Sequence, residues 1–404
     1  MKIELGKLYK IQRTILANRL FVLSVFIAIL GSMNVWFLIP LYSVYPIIAF
    51  VLAYCSYLVS RNQQEKLFVE EYWIIPCAAF LLLTFYQSLN NSLNVNAYIK
   101  NLFSALYLFL VFKYDKRRLL GLTTIFAKAL GGFLLVSYPF FFLYLIGFPL
   151  PNSDLQFNDG FYYFSNYYMF LVDDRTIFSI FPRFQSVFLE PTYLGSTTAL
   201  ILFTQRGCWK KWYNVSILSG LLLSFSLAGY VFLFIIVFLN LWINREKIIS
   251  KVIATLFVFG LIIGVAFVYN DGDNMLHNFI LLRMEVDDGE FVGNNRVTAN
   301  FDKEFDGYIS SADVVFGRDY DYSVSGDSGY KVFIYDYGIL GAIFLFIFYL
   351  SAFWKYNDVR ASVSALILMI LMWWVDGFVV WLGRILLLYF VSMRELINQK
   401  SELK

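Results

Sequence analysis

Apolar runs of roughly 17–25 residues recur along the chain, each long enough to cross a hydrocarbon core about 30 Å thick. No other feature restricts the fold as strongly. A segment in lipid must satisfy its backbone polar groups internally, so it forms a helix or part of a closed barrel. The runs are continuous rather than alternating, which excludes a β-barrel. Composition agrees: 59% of the 404 residues are hydrophobic and 15% charged, with a mean hydropathy of +0.64. A soluble domain has roughly 45–50% apolar and 25% charged residues. The expected fold is an all-α polytopic membrane protein, one integral membrane domain over 1–404.

The net charge of +3 hides a segregation by side. Basic breaks occur at Lys2, Lys7, Lys10, Arg13 and Arg19, at Arg61 and Lys66, and at Lys113, Lys116, Arg117 and Arg118. Others hold Arg206, Lys210 and Lys211, then Arg245, Lys247 and Lys251, then Lys355 and Arg360, and finally Arg394 onward. The positive-inside rule puts all of these in the cytoplasm, with both chain ends. Spans are expected at 20–37, 41–60, 72–89, 97–112, 120–147, a sixth opening near Pro191, 251–269, 331–354, 361–375 and 378–393. Residues 213–243 must go out and return, as two short helices meeting near Ser224, Ser226 and Gly229. The total is about twelve crossings. The first is an uncleaved helix, because no small-residue cleavage site follows its apolar run. Segments 151–182 and 270–330 fall outside, and both are net acidic. Basic breaks sorted in this way are topology signals, so nucleic acid is not an expected partner. Cys55, Cys77 and Cys208 lie in no outer segment and imply no disulfide framework. Lys128, within an apolar span, reads as a snorkelling side chain.

The outer segments carry the residues with chemical potential. Phe157 to Phe170 reads FNDGFYYFSNYYMF. This is either a segment lying at the headgroup level or a platform of rings and hydroxyls that holds a sugar. Arg183 and Glu190 follow, seven residues apart, so a helix there would put both on one face. Pro191 suits a first helical position, or a kink if the helix starts earlier. The larger segment holds Arg283, Arg296 and Arg318 among many carboxylates and ends in Gly326-Asp327-Ser328-Gly329-Tyr330. Its acids Asp287, Asp288, Glu290, Asp302, Glu304 and Asp306 read as a solvated face. The single histidine, His277, has no companion, and no metal-ligand spacing occurs. Near the C-terminus, Arg384 falls near mid-helix and is expected to neutralise an inward carboxylate such as Asp376 or Asp336.

Outside the membrane there is no pool of nucleotide-activated substrates, so an enzyme at that face draws its activated donor from the lipid. A departing lipid diphosphate suits arginine, whose planar fork pairs with phosphate bidentately. Arg183, Arg283, Arg296 and Arg318 are the candidates, and no cofactor or metal is expected. An attacking hydroxyl needs a general base, for which Glu190 and Asp327 sit beside helix ends.

At these residues the chain resembles a known family. Arg183 followed by Phe188-Leu189-Glu190-Pro191-Thr192-Tyr193-Leu194 is similar to the segment entering a central helix in bacterial O-antigen polymerases (the Wzy class) and related O-antigen ligases. Asn294-Asn295-Arg296, Val315-Phe316-Gly317, Asp327-Ser328-Gly329-Tyr330 and Tyr337-Gly338-Ile339-Leu340-Gly341 resemble that family's large periplasmic loop and following helix. The resemblance implies a GT-C-type helix bundle in the bacterial inner membrane, its active site facing the periplasm. It implies a glycosyltransferase that joins undecaprenyl-diphosphate-linked repeat units, moving the growing chain to the non-reducing end of a new unit. Arg183 and Arg296 would contact the diphosphate, and Tyr193 and Tyr330 the sugars. A chain-length regulator and a flippase are candidate partners. Family ligases place a histidine three residues before the tyrosine; here Asp327 stands there, which disfavours a ligase. A flippase or other transporter is the third reading. It would be expected to show short outer connections and internal repeats, and neither is visible.

Overall fold

The computed structural model describes residues 2–61, 67–68, 73–90, 95–157, 162–173, 182–206, 208–244, 248–272, 274, 277, 281–282, 286–287, 290–291, 299–318, 329–354, 358–376 and 378–393. In chain order its helices begin with α1 (Lys2–Gly31), α2 (Tyr45–Ser60), α3 (Ile74–Asn90), α4 (Val95–Lys113) and α5 (Lys116–Leu145). Then come α6 (Pro191–Thr204), α7 (Trp212–Leu223), α8 (Leu227–Asn244) and α9 (Ile248–Val268). The last are α10 (Ala299–Ile309), α11 (Gly329–Trp354), α12 (Val359–Asp376) and α13 (Leu382–Ser392). Five are long and apolar enough to cross a membrane: Ile11–Gly31 of α1, α4, α5, α8 and α11. Shorter apolar helices accompany them, among them α2, α7 and α13. The architecture is that of a helical membrane protein.

The chain divides into two compact units. The first comprises Met1–Met33, Leu38–Leu122 and Arg296–Lys404. Here α1 lies along α2, α4 packs on α2 and α3, and α11 packs on α3 and α12. Small residues let the first two helices approach closely: Ala17, Ser24 and Ala28 on α1, Ala49, Ala53 and Ser56 on α2, all buried. The Ser56 hydroxyl donates across the gap to the Ala17 carbonyl at 2.7 Å. Every residue of α13 is buried, as expected for a helix that is apolar nearly all round. Arg384 is its third residue, nearer the helix start than the mid-helix position expected from sequence, and only 1% exposed. The Gly383 amide donates to Ser32 Oγ at 2.7 Å, joining α13 to the end of α1.

The second unit comprises Asn34–Phe37 and Thr123–Asn295. Gly131 of α5 lies against the Tyr213 backbone, where an added Cβ would come within 2.6 Å of the Tyr213 oxygen. Ser216 Oγ donates to the Gly131 carbonyl and the Tyr138 hydroxyl to the Ser216 carbonyl, tying α5 to α7. Helix α6 packs on both α7 and α8. Lys128 is exposed on α5 with its ammonium 6.0 Å from the Tyr213 ring centre, in keeping with a snorkelling side chain.

Three local expectations change. Helix α1 starts at Lys2 instead of near residue 20, so the charged N-terminal stretch is helical too. Residues 182–190 are not helical, so Arg183 and Glu190 do not share a helix face. Five-residue strands β1 (Ser153–Phe157) and β2 (Tyr162–Asn166) and short β3 (Leu171–Asp173) make an antiparallel sheet within 151–182. The register pairs Ser153 with Asn166 and Asn166 with Leu171. A further two-stranded pair, β4 (Val286–Asp287) and β5 (Glu290–Phe291), lies in the larger segment. Among the described residues the strands lie in the hydrophilic segments, where water and neighbouring strands can satisfy the backbone.

Candidate functional site

In the second unit the residues between Pro182 and Glu190 form a strap fixed on several sides. The Phe184 amide donates to the Leu223 carbonyl, and the Ser186 carbonyl accepts from the Leu171 amide. The Val187 carbonyl accepts from Trp36, Leu189 donates to Asn34, and Phe188 bridges Val35 antiparallel. Phe184, Val187, Phe188 and Leu189 are buried, with Phe184 against Tyr138 and Phe141. Ser186 takes a positive φ of 51°, a costly conformation for a non-glycine residue, which the surrounding contacts hold in place.

The strap presents Arg183 and Glu190 at its two ends, both half-buried. Arg183 sits where α7 stops. Phe225 has φ 45° and breaks the path into α8, leaving the last carbonyls of α7 without helical partners. Arg183 Nε donates to the Ser224 carbonyl at 3.3 Å, the Phe184 amide takes Leu223, and the Tyr230 hydroxyl takes Leu222. A guanidinium at this helix end also meets the negative end of the macrodipole. Across the break, Ser226 Oγ accepts from the Gly229 amide at 3.2 Å and caps α8. The break near Ser224, Ser226 and Gly229 lies where expected, but only α7, at 12 residues, is short; α8 runs for 18.

Glu190 is the extended residue before α6, and Pro191 takes the first helical position, as its fixed φ favours. The Glu190 carbonyl accepts from the Tyr193 and Leu194 amides, while its side chain makes no capping bond. Tyr193 is buried in the first turn of α6. Where α6 crosses α8, Gly195 and Gly229 touch, and a Cβ on either would lie 3.0 Å from the other's Cα. Arg183, Glu190 and Tyr193 thus belong to one small region built from the strap and the starts of α6 and α8.

Gln185 and Ser186 are features of this region not anticipated from sequence. They are 1% and 0% exposed, and Gln185 Nε2 and Ser186 Oγ have no hydrogen-bond partner among the described residues. Such groups cost about 1–3 kcal/mol each when left unmatched. The sheet leading to them alternates: Phe164 and Asn166 face inward, Tyr163 outward. Asn166 Oδ1 accepts from the Tyr168 amide at 2.8 Å and sets the turn between β2 and β3. Tyr163 and Tyr168 are exposed, and Trp36 Nε1 donates to the Tyr168 carbonyl.

No family model, curated protein or solved structure matches this chain. The functional reading therefore rests on residues and geometry.

In the first unit, Arg318 bonds Asp313 Oδ2 through both Nε and Nη2 at 2.8 Å, and its guanidinium lies 5.4 Å from the Tyr308 ring centre. The Asp313 bond raises its pKa further. Beneath it Phe301, Phe305, Tyr308 and Tyr335 form a small core, with the Tyr335 hydroxyl donating to Glu304 and that of Tyr308 to the Ile334 carbonyl. Burial pushes the Tyr308 phenol up to about 12, although the Arg318 charge pulls the other way. Glu304 thus supports this core as well as facing solvent. Gly317, φ 88°, and Gly338, φ 66°, bring the segment after α10 onto a non-helical kink inside α11. A Cβ on Gly317 would stand 2.4 Å from the Asp336 oxygen, and one on Gly338 2.5 Å from the Val315 oxygen. Val315-Phe316-Gly317 and Tyr337-Gly338 are therefore two halves of one contact. Tyr330 stacks on Trp374 at 4.7 Å. The His277 ring packs edge-on to Phe267, and among the described residues no group of His, Cys, Asp and Glu could hold a metal. Arg283, Arg296 and Asp327 lie outside the described residues.

Proposed function

We propose that this protein is a membrane glycosyltransferase of the repeat-unit polymerase type, working on a lipid-diphosphate donor. The observation that carries the reading is the strap. It holds a guanidinium at the end of α7 and a carboxylate at the start of α6, beside a buried tyrosine. Such fixed groups stabilise developing charge without reorganising. Half-burial strengthens their electrostatics relative to water.

The reaction has few steps. The acceptor hydroxyl of a new unit attacks the anomeric carbon of the donor sugar. Its proton passes to the Glu190 carboxylate, and the bond to the diphosphate oxygen breaks. Arg183 takes the departing undecaprenyl diphosphate, and Tyr193 contacts a sugar. Arg318, held by Asp313, is better suited to bracing α10. We place the chain in the bacterial inner membrane with about twelve crossings, both termini cytoplasmic and both long segments periplasmic. A chain-length regulator and a flippase are its proposed partners.

A deletion strain analysed by lipopolysaccharide gel tests this. A single repeat unit on core is expected. Bare core with lipid-linked polymer accumulating would indicate a ligase, and bare core with units trapped inside a flippase.

A further inference from the structure

Lys100 stands apart from the other cations of the helical bundle. On α2 and α4 the basic residues gather at one end: Arg61 follows α2, and Lys113, Lys116, Arg117 and Arg118 surround the end of α4. Lys100 lies thirteen residues before Lys113, about 20 Å along the helix at 1.5 Å per residue. In the orientation proposed above that is the outer boundary, where the positive-inside rule disfavours lysine. A cation retained there against that tendency points to a use.

Its surroundings are within the first unit and are specific. The ammonium lies 3.8 Å from the centre of the Tyr42 ring and 5.5 Å from that of Tyr45. The backbone holds these rings in place. The Tyr42 and Val44 amides close turns onto Ile39 and Leu41, and Tyr45 is buried against Gly31 at the start of α2. Lys100 is itself half-buried, and α4 packs on α2 along this face. Among the described residues its ammonium meets no carboxylate and no hydrogen-bond acceptor, only the two rings. An aromatic face attracts a cation but takes none of its three N–H bonds. The Tyr42 phenol is neutral near pH 7 and so acts as a donor rather than a counter-anion. One cation and one phenol therefore converge with donors to spare and no protein acceptor.

We propose that Lys100 and Tyr42 form a binding site for a phosphate group at the outer boundary of the bundle. A tetrahedral oxyanion accepts several hydrogen bonds at once and supplies the missing negative charge. The group comes either from the headgroup of a bilayer lipid or from a free phosphate or diphosphate; the chemistry is the same. The site shares no residue with the strap and stands whether or not the chain makes polymer.

The test uses the full chain in maltoside detergent, which carries no phosphate. Acetylation of Lys100 is followed by peptide mass spectrometry, with Lys210 as reference, after adding phosphatidylglycerol or inorganic pyrophosphate. Protection of about fivefold or more is expected, as for loss of a charged hydrogen bond. Protection by phosphatidylglycerol alone assigns a lipid headgroup, and protection by both assigns a site that reads the phosphate itself. In parallel, K100Q is expected to bind the protecting probe at least about fivefold more weakly while K100R retains it. Acetylation of wild-type Lys100 unchanged by either probe overturns the proposal, as does wild-type binding by K100Q. The protection measurement needs no variant and stands even if K100Q misfolds.

Discussion

Arg183 illustrates how one side chain can serve fold and chemistry together. It closes the end of α7 through the Ser224 carbonyl, so replacing it removes a cap as well as a charge. Arg183→Ala is expected to abolish long-chain polysaccharide on a gel while lowering stability by only about 0.3–1 kcal/mol, the usual worth of a cation at a helix end. Normal polymer in that variant would defeat its assignment. Arg183→Lys keeps the charge but loses the fork and is expected to restore little polymer. The glycines give a contrasting prediction. Gly317→Ala and Gly338→Ala each force a Cβ into backbone at a positive φ and are expected to cost more than about 1–3 kcal/mol. Gly307→Ala, in open space on α10, is expected to be neutral or stabilising by about 0.5–1 kcal/mol. Thermal unfolding in detergent checks both. At this scale the sequence was informative where a residue type has a single use, as with Pro191 at a helix start. It was uninformative for Gln185 and Ser186, because nothing in a short polar interruption shows that it will be buried.

Among the elements, what could be read locally was read correctly. The apolar runs became helices, and the polar Ser224 to Ser226 interval became the break between α7 and α8. The sheet at 153–173 was missed because its strands are short and their aromatic residues suit a membrane surface equally well. The spacing of Arg183 and Glu190 would put both on one face of a helix, yet residues 182–190 run as an irregular strap with a turn at Ser186. Hydrogen bonds from Asn34, Trp36 and Leu171, remote in sequence, override local preference there. Packing between elements is where substitution is most costly. Gly195→Val would push α6 off α8 at the Gly229 contact and is expected to cost about 1–3 kcal/mol. A lower unfolding temperature with loss of polymer is the expected readout. An unchanged unfolding temperature would mean that the crossing is looser than 3.0 Å implies.

For the molecule as a whole, orientation decides whether the strap can reach a lipid-borne donor. A single cysteine at Ser153, the exposed first residue of β1, is expected to react with an impermeant maleimide from the periplasmic side of intact cells. Reaction only after lysis would invert the proposed topology. The native Cys55, Cys77 and Cys208 are removed for this measurement. The general membrane class could be read from composition and run length. The division into two units could not, because it depends on contacts between stretches hundreds of residues apart. The bond from Gly383 to Ser32 spans 351 positions, and it carries a biosynthetic consequence. While the ribosome is still making the last helices, the earliest ones wait in the bilayer with their future neighbours unmade. A message cut short before Leu382 would leave that half of the protein open along one side, a substrate for membrane proteases however sound the remainder.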